Sequence, residues 1–303
     1  MSVIYDVIII GAGPGGISAA IYAKRAGFNT LLIERAYVSG GQIINTAEVD
    51  NYPGLPGVSG MELANKFKEH AESAGVVAVR EEVTGIEAEE EIKKITTKDK
   101  AYLSKSIIIA TGATHRLLGI PGEMELAGMG VSYCATCDGA FFKDKTVAVI
   151  GGGDVAVEDA IFLARLCKKV YVVHRRDELR AAKVLQDRLL ALDNVEMLWN
   201  QIPEGIIGSG QVSKIALKDV KSQIQQEVDV DGVFVAVGMT PQTEVFKSVV
   251  AVDEGGYIKA GEDCRTNVSG IYVVGDVRTK SLRQIITAAA DGANAITSVQ
   301  GDT

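Results

Sequence analysis

The chain has 303 residues, of which 47% are hydrophobic and 23% charged, so it is long enough for about two domains with a sizeable core. Its net charge of −8 argues against a general nucleic-acid binder or a protein of anionic membrane surfaces. Four cysteines in a chain of this size do not require a disulfide framework, and we expect a cytoplasmic protein.

The first predicted elements lie in the segment DVIIIGAGPGGISAAIYAKRAGFNTLLIER, which begins at Asp6. It reads as an apolar strand, a glycine turn, an Ala-rich helix and a second strand that ends at Glu34. Gly11, Gly13 and Gly16 have the spacing of a dinucleotide-binding turn, and Glu34 lies where a carboxylate binds ribose hydroxyls. The segment therefore predicts a site for a dinucleotide with a free adenosine ribose. Asp6 also interrupts the N-terminal apolar run, so we expect neither a signal peptide nor a membrane span.

The next part of the chain predicts a helix in SGMELANKFKEHAESAG and strands at about 76–83, 92–97 and 107–110. A second domain begins after ATGATHRLLGIPG, and MTPQTEVF returns the chain to the first. We therefore predict a discontinuous domain of residues 1–116 and 245–303, with an inserted domain of residues 117–244. The fold class is α/β, with two Rossmann-like nucleotide-binding domains.

The segment VSYCATCDGAFF holds Cys134 and Cys137, followed directly by Asp138. In a helical turn these two cysteines share a face and can close a small disulfide ring. Asp138 can supply or take the proton that disulfide reduction requires. A zinc site would need two further ligands, which no second cysteine knuckle or paired histidines provide, and we expect no metal. A purely structural role is disfavoured because so short a loop constrains the unfolded chain little.

The glycine pattern recurs in TVAVIGGGDVAVEDAIFLARLCKKVYVVHRR, with Gly151 and Gly153 in the places of Gly11 and Gly13. The strand after it ends at His174, where the first copy has an acid. The basic residues that follow there are Arg175, Arg176 and Arg180. Guanidinium groups bind a phosphate at two points, whereas an acid would repel a 2′-phosphate. The second site is therefore predicted to bind NADP(H); a solvated basic patch at a strand end is the alternative.

The C-terminal stretch GIYVVGDVRTKSLRQIITAAADGANAI predicts a strand at 271–274 and a long helix from about Leu282. Asp276 follows the strand directly. An acid at that edge of a sheet can bind a polyol, although alone it would be an ordinary turn aspartate. Beside two dinucleotide turns and a CxxC pair, Asp276 is predicted to contact the ribityl chain of a flavin.

These motifs together resemble the low-molecular-weight, bacterial-type thioredoxin reductases, which are class II pyridine nucleotide-disulfide oxidoreductases with three-layer ββα domains. The motifs are GAGPGG at 11–16, GGQI at 40–43, NYPG at 51–54, ATGA at 110–113, CATCDG at 134–139, GGGDVAVEDA at 151–160, HRRDELRA at 174–181, GDV at 275–277 and RQ at 283–284. The resemblance covers essentially the whole chain. It implies a homodimer with an FAD domain and an inserted NADPH domain that carries the redox disulfide.

The resemblance also implies site residues. It adds Gly41, Gln42, Asn51, Thr111, Arg283 and Gln284 to the FAD site and Asp154 and Val155 to the NADPH site. By the same resemblance, Cys137 faces the flavin, Cys134 attacks the substrate disulfide and Asp138 is the acid. Val155 departs from the family, which usually has serine there, so a hydroxyl contact to the cofactor phosphate is predicted to be missing.

The reaction implied is a relay from NADPH to FAD, then to the Cys134–Cys137 disulfide, then to the disulfide of thioredoxin or a thioredoxin-like protein. Because nicotinamide and disulfide share one domain and must both reach one flavin, we expect the domains to rotate between half-reactions. A reductase of a peroxiredoxin-type partner is an alternative, but we expect no N-terminal thioredoxin-like module. A ferredoxin- or flavin-fed relative would lack the basic cluster, and a redox sensor without turnover would not need a dithiol.

Overall fold

The computed structural model describes residues 3–46, 48–88 and 91–302, so the outermost positions of the predicted domains, 1 and 303, lie outside it. Within these residues the strands are β1 (Ile4–Ile10), β2 (Thr30–Glu34), β3 (Val77–Arg80), β4 (Val83–Ala88), β5 (Lys93–Thr97), β6 (Ala101–Ile109), β7 (Ala113–His115), β8 (Val131–Ser132), β9 (Thr146–Ile150), β10 (Lys169–His174), β11 (Val195–Trp199), β12 (Gln201–Gly208), β13 (Val212–Asp219), β14 (Gln225–Asp229), β15 (Gly232–Val235), β16 (Met239–Pro241) and β17 (Ile271–Val273).

The α-helices of the same residues are α1 (Pro14–Arg25), α2 (Gly60–Ser73), α3 (Ala135–Asp138), α4 (Asp154–Ala164), α5 (Lys183–Leu190) and α6 (Ile285–Asp302). Short 3₁₀ helices occupy Gly41–Asn45, Gly139–Phe142 and Gly275–Val277. None of the helices described has both the length and the apolar character needed to cross a membrane.

The chain divides into two compact units. The first unit comprises the residues up to Thr114 and those from Thr240 onward, and the second unit is His115–Met239. The chain passes between the units at β7 and β16, which pair with each other as a two-stranded sheet.

The first unit is built on a parallel sheet in the order β3-β2-β1-β6-β17, and the antiparallel strands β5 and β4 extend it from β6. Alternation along β1 separates its two faces. Val7 and Ile9 pack in a cluster with residues of α1 and α6, whereas Ile8 and Ile10 pack in a cluster with Ile86 and other residues of the opposite face. Because helices and strands cover both faces, β1 reads as a continuous apolar run.

The second unit repeats this arrangement around a parallel sheet in the order β11-β10-β9-β15-β8. Val147 and Val149 of β9 pack with residues of α4, while Ala148 and Ile150 pack with residues of the antiparallel sheet β12-β13-β14. In each unit, one face of the parallel strands thus packs against helices and the other face packs against residues of antiparallel strands. This is the predicted α/β fold class with two Rossmann-like units.

Two predicted boundaries were wrong. The strand expected at about 76–83 is two strands, because β3 pairs in parallel with β2 whereas β4 pairs antiparallel with β5. The last helix begins at Ile285, three residues after Leu282, since the Thr287 hydroxyl accepts the backbone N–H of Gln284 and donates to the carbonyl of Leu282.

Candidate active site

The first glycine turn connects the end of β1 to the start of α1. Gly11 has φ of +107°, and a Cβ there would collide with the backbone of Ala110, so only glycine fits. Gly13 is the N-cap of α1, and a Cβ built on it meets no atom within 4 Å. Gly16 is buried in the first turn of α1, against Gly11. The turn is therefore closed toward the sheet and open at Gly13, above the helix N-terminus.

Glu34, at the end of β2, is joined to this turn by its carboxylate. Oε2 accepts the backbone N–H of Ala12 at 2.6 Å, and Oε1 accepts that of Ala36 at 2.7 Å. Gly41 lies next to the same turn, because a Cβ on it would be 3.5 Å from the Cα of Gly13. The fold thus brings Glu34 and Gly41 to the glycine turn, as a shared nucleotide site requires.

Four more of the predicted residues have hydrogen-bond partners within the first unit. Gln42 donates a side-chain hydrogen bond to the carbonyl of Ala113. The Thr111 hydroxyl donates to the carbonyl of Gln242 at 2.7 Å. Asn51 donates to the side-chain oxygen of Gln284 at 3.0 Å, which joins two sequence-distant members of the predicted set.

Asp276 follows β17 in the 3₁₀ helix Gly275–Val277. Its Oδ1 is buried and accepts no hydrogen bond from the described residues. Burial raises the pKa of the Asp276 carboxyl, and the nearby Lys280 and Arg283 offset this in part. Arg283 donates from Nε to the carbonyl of Asp276 at 3.4 Å. The site therefore has, at the carboxyl edge of the sheet, a buried acceptor that no described residue satisfies.

Asp291 of α6 was missed by the sequence analysis. Its Oδ2 accepts the backbone N–H of Gly275 at 2.8 Å, and its carboxylate also binds the buried side chains of Arg278 and Lys280. These bonds lower the pKa of Asp291 although burial opposes them. A lone aspartate in an Ala-rich helix carries no motif, so only the fold identifies this contact.

The second glycine turn connects β9 to α4. A Cβ on Gly151 would lie 2.5 Å from the carbonyl oxygen of Ala236, and Gly153 is the N-cap of α4 with open space around it. His174, at the end of β10, packs its ring directly against Gly152, where a Cβ would collide with it. Burial, with the charges of Arg180 and Arg176, lowers the pKa of His174. The imidazole is therefore a neutral support for the turn, and the arginines supply the positive charge.

Arg175, Arg176 and Arg180 are exposed, and none of them forms an ion pair with another described residue. Their loop is attached to the glycine turn at two points. The backbone N–H of Arg180 donates to the carbonyl of Gly152, and that of Ala182 donates to Oδ1 of Asp154, both at 2.7 Å. A loop with three arginines that form no ion pair with the described residues is thus attached beside the open N-terminus of α4.

Val155 is in the first turn of α4 with 61% of its surface exposed. The side chain of an exposed valine at a helix N-terminus offers no polar group to a ligand. In the residues that the structure describes, no group of three or more His, Cys, Asp or Glu side chains is placed to hold a metal ion.

Cys134 and Cys137 form a disulfide with a Cα–Cα distance of 5.3 Å. Cys134 is the N-cap of the one-turn helix α3, and the N–H of Cys137 and Asp138 both point to its carbonyl, at 3.3 and 3.1 Å. Both cysteines are half-buried. The other two cysteines, Cys167 and Cys264, are buried free thiols, and burial raises their pKa to about 11 and about 12.

Asp138 lies at the end of α3, and Ser132, which the sequence analysis did not single out, lies next to it. The Ser132 hydroxyl is 2.5 Å from Oδ2 of Asp138 and accepts the backbone N–H of Cys134 at 3.1 Å. Burial raises the pKa of Asp138, and the Ser132 hydrogen bond lowers it in part. A carboxyl that holds its proton more tightly than usual therefore lies in the same helical turn as the disulfide.

Comparisons with known proteins find relatives over nearly the whole chain. Residues 5–292 match the family described as "Pyridine nucleotide-disulphide oxidoreductase". A thioredoxin reductase of Listeria innocua is 50% identical over 95% of this chain and 91% of its own length, and one of Bacillus subtilis is 46% identical over 98% and 94%. The crystal structure of a Streptococcus pyogenes thioredoxin reductase, 45% identical, matches with a TM-score of 0.95 over 100% of this chain and 99% of its own.

These matches span nearly the full length of both partners and confirm the predicted resemblance and fold class. They also agree with the redox disulfide formed by Cys134 and Cys137. The chain therefore belongs to the pyridine nucleotide-disulphide oxidoreductase family and, within it, to the thioredoxin reductases.

Proposed function

We propose that this chain is an NADPH-dependent flavoprotein that reduces the disulfide of thioredoxin or a thioredoxin-like protein through Cys134 and Cys137. The observation that carries the proposal is the Cys134–Cys137 disulfide with the Asp138 carboxyl in the same turn, in a unit that also holds a nucleotide-type glycine turn. A structural disulfide would need neither the carboxyl nor the nucleotide site.

The first unit fits FAD. The space at Gly13 is open for a pyrophosphate, and the free N–H groups at the start of α1 can bind it. Glu34 has carboxylate lone pairs left for ribose hydroxyls. The buried Oδ1 of Asp276 has no partner among the described residues, and a ribityl hydroxyl would provide one.

The other members of the proposed FAD site are Gly11, Gly16, Gly41, Gln42, Asn51, Thr111, Arg283 and Gln284. Their contacts within the first unit support this assignment.

The second unit fits NADPH. Gly151, Gly153 and the N-terminus of α4 would hold the pyrophosphate, and Arg175, Arg176 and Arg180 would bind the 2′-phosphate. Asp154 contributes indirectly, since it holds the loop that carries the arginines. His174 contributes by packing under Gly152. A ferredoxin- or flavin-fed enzyme would not need this basic loop, and its three arginines, which form no ion pair with the described residues, therefore favour NADPH.

Bound FAD would supply hydride chemistry, taking an electron pair from NADPH and passing it to the disulfide. Reduction breaks the Cys134–Cys137 bond and places two electrons on its two sulfurs, which become thiolates. Asp138 supplies the proton for one of them, and the other stays a thiolate. The Cys134 thiolate then attacks the partner disulfide, and Cys137 resolves the mixed disulfide and restores the Cys134–Cys137 bond.

The test combines NADPH oxidation with thioredoxin reduction by the purified holoenzyme. Cys134→Ser and Cys137→Ser should each abolish thioredoxin reduction, while Cys167→Ala, a change at a buried free thiol, should retain it. Cys137→Ser should also trap thioredoxin as a mixed disulfide through Cys134. Bleaching of the flavin by NADPH without reduction of any thioredoxin or peroxiredoxin-type disulfide would contradict the proposal.

We also propose that the enzyme is a cytoplasmic homodimer, on the strength of the family resemblance and the low cysteine content. Light scattering of the holoenzyme should give twice the chain mass of 32.1 kDa. The rotation between domains stays a prediction, and a crosslink between the units that leaves turnover unchanged would contradict it.

A further inference from the structure

Ser132 is held next to the redox disulfide by the sheet of the second unit. It is the last residue of β8, where it pairs with Phe234 of β15, and it is buried, with 5% of its surface exposed. Its Oγ is 2.5 Å from Oδ2 of Asp138, 3.1 Å from the backbone nitrogen of Cys134 and 3.4 Å from the carbonyl oxygen of Cys134. One hydroxyl therefore contacts both the acid and the backbone of a redox cysteine.

A serine hydroxyl has one donor and two acceptor positions, which suit both protonation states of Asp138. With Asp138 ionised, Ser132 donates to Oδ2 and accepts the N–H of Cys134. With Asp138 protonated, the carboxyl donates to Oγ, and the Ser132 hydrogen turns to the carbonyl of Cys134. Because Oδ2 of Asp138, the Ser132 hydroxyl and the N–H of Cys134 each keep a hydrogen-bond partner in both states, Asp138 can gain or lose its proton without leaving one of them unsatisfied.

We propose that Ser132 is a positioning residue that adjusts the affinity of Asp138 for its proton and links that proton to the backbone of Cys134. The inference rests on the proposed function, in which Asp138 exchanges a proton with the cysteine pair.

In the reduction step, the electron pair that bound FAD would deliver breaks the S–S bond and leaves a thiolate on each of the two sulfurs. The proton passes from the Asp138 carboxyl to one of these sulfurs, which forms an S–H bond and leaves a carboxylate, while the other sulfur stays a thiolate. The hydroxyl hydrogen of Ser132 turns from the Cys134 carbonyl to Oδ2 of Asp138, and Ser132 keeps its own proton throughout. Reoxidation by the partner disulfide reverses each movement.

Other titratable groups near this turn include Tyr133, beside Cys134, whose hydroxyl donates to Oε1 of Glu123 at 3.1 Å, and three carboxyls of α4, which packs against α3. The three carboxyls are Asp154, bonded to the N–H of Ala182; Glu158, which is exposed; and Asp159, whose pKa is raised to about 7 by burial and by Glu158. In an Asp138→Asn background, a pH titration reports on these other groups without Asp138. The difference between the titrations with and without Asp138→Asn therefore gives the contribution of Asp138.

The test is an infrared titration of the carboxyl groups of the oxidised holoenzyme, in which the band absent from Asp138→Asn identifies Asp138. Loss of a hydrogen bond to the ionised carboxylate should raise the midpoint in Ser132→Ala by about one pH unit. Ser132→Thr keeps the hydroxyl and should titrate like the wild type. Should Ser132→Ala fail to fold, Ser132→Gly also lacks the hydroxyl and should show the same shift.

An unchanged midpoint in Ser132→Ala, or an equal shift in Ser132→Thr, would overturn the proposal. In the pH profile of turnover, Ser132→Ala should shift the alkaline limb to higher pH by the same amount. In the Asp138→Asn background, Ser132→Ala should leave the pH profile unchanged. An enzyme that titrates as expected but reduces no thioredoxin would contradict the proposed function and leave the Ser132–Asp138 linkage supported.

Discussion

Asp291 binds Arg278 at two points inside the first unit. Its Oδ2 accepts Nε of Arg278 at 2.9 Å and its Oδ1 accepts Nη2 at 2.7 Å, and both side chains are at most 4% exposed. Lys280 and the N–H of Gly275 donate to the same carboxylate, each at 2.8 Å. Since Gly275 precedes Asp276, this buried pair holds the loop that carries the proposed ribityl ligand.

Asp291→Ala should strongly destabilise the first unit, because it removes the buried carboxylate that Arg278 and Lys280 share and leaves Arg278 with the exposed Glu262, at 3.3 Å. Breaking one side of a buried pair costs about 3–5 kcal/mol of the free energy of unfolding, measurable by urea denaturation. Asp263→Ala removes an exposed partner of Arg265 and should cost less than about 1 kcal/mol. An equal loss in the free energy of unfolding in the two variants would show that the buried Asp291–Arg278 pair stabilises the protein no more than an exposed pair does.

The contribution of Asp291 should also depend on pH. Its folded-state pKa lies below its ordinary value of 3.8, because the bonds from Arg278 and Lys280 outweigh burial. The stabilisation is therefore fully present above that ordinary value and is lost as the pH falls through the folded-state pKa. The stability gap between wild type and Asp291→Ala should narrow below about pH 4 and stay constant at neutral pH.

Asp276→Ala should weaken FAD binding, because it removes a buried acceptor that has no partner among the described residues. A hydrogen bond to a charged group is worth about 1.5–3 kcal/mol, which predicts a Kd about 10- to 100-fold higher. Titration of FAD into the apoprotein, followed by flavin fluorescence, measures it. Glu244→Ala, at an exposed surface pair with Lys247, is the control, and an Asp276→Ala Kd equal to the control's would rule out this ligand.

Arg180→Ala should raise the KM for NADPH and leave the KM for NADH nearly unchanged, because only NADPH has the 2′-phosphate. The loss of a charge-assisted contact predicts a change of about 10- to 100-fold. Arg188→Ala, an exposed arginine of α5, should leave both values as they are. Faster reduction with NADH than with NADPH in the wild type would exclude the assignment of all three arginines.

Val155→Ser should improve NADPH binding by restoring the hydroxyl that the family usually has. One neutral hydrogen bond is worth about 0.5–1.5 kcal/mol, so the KM should fall about 2- to 10-fold. Val184→Ser changes an equally exposed valine on α5 and should have no effect. A KM for Val155→Ser that matches the wild type would mean that position 155 does not face the phosphate.

Asp138→Asn should slow reduction of the disulfide, since a positioned acid contributes about 10²- to 10⁴-fold. Burial raises the pKa of Asp138, so the protonated form donates below that pKa, and the rate should fall as the pH rises through it. The variant should lose this limb of a single-turnover pH profile. The control Asp187→Asn, at an exposed carboxylate of α5, should still show the fall in rate with rising pH. If Asp138→Asn also shows this fall, another group supplies the proton.

The sequence by itself determined the two strand–turn–helix units, the cysteine pair and the α/β class. These features are local: a turn that only glycine can form at Gly11, an apolar strand buried on both faces, and a three-residue spacing that closes one ring. Each of these features depends on residues that are close along the chain, so the pattern of residues is sufficient to predict the feature.

Only the tertiary structure decided the contacts that adjust these sites. Asp291 reaches Gly275 from another element, and the HRRDELR loop is held beside the second glycine turn by Asp154. Ser132 is close to Cys134 along the chain, yet its contact with Asp138 depends on how β8 joins the sheet and how α3 turns. Serine and aspartate occur in many environments, and their roles depend on which buried donors and acceptors the folded chain places within hydrogen-bond distance.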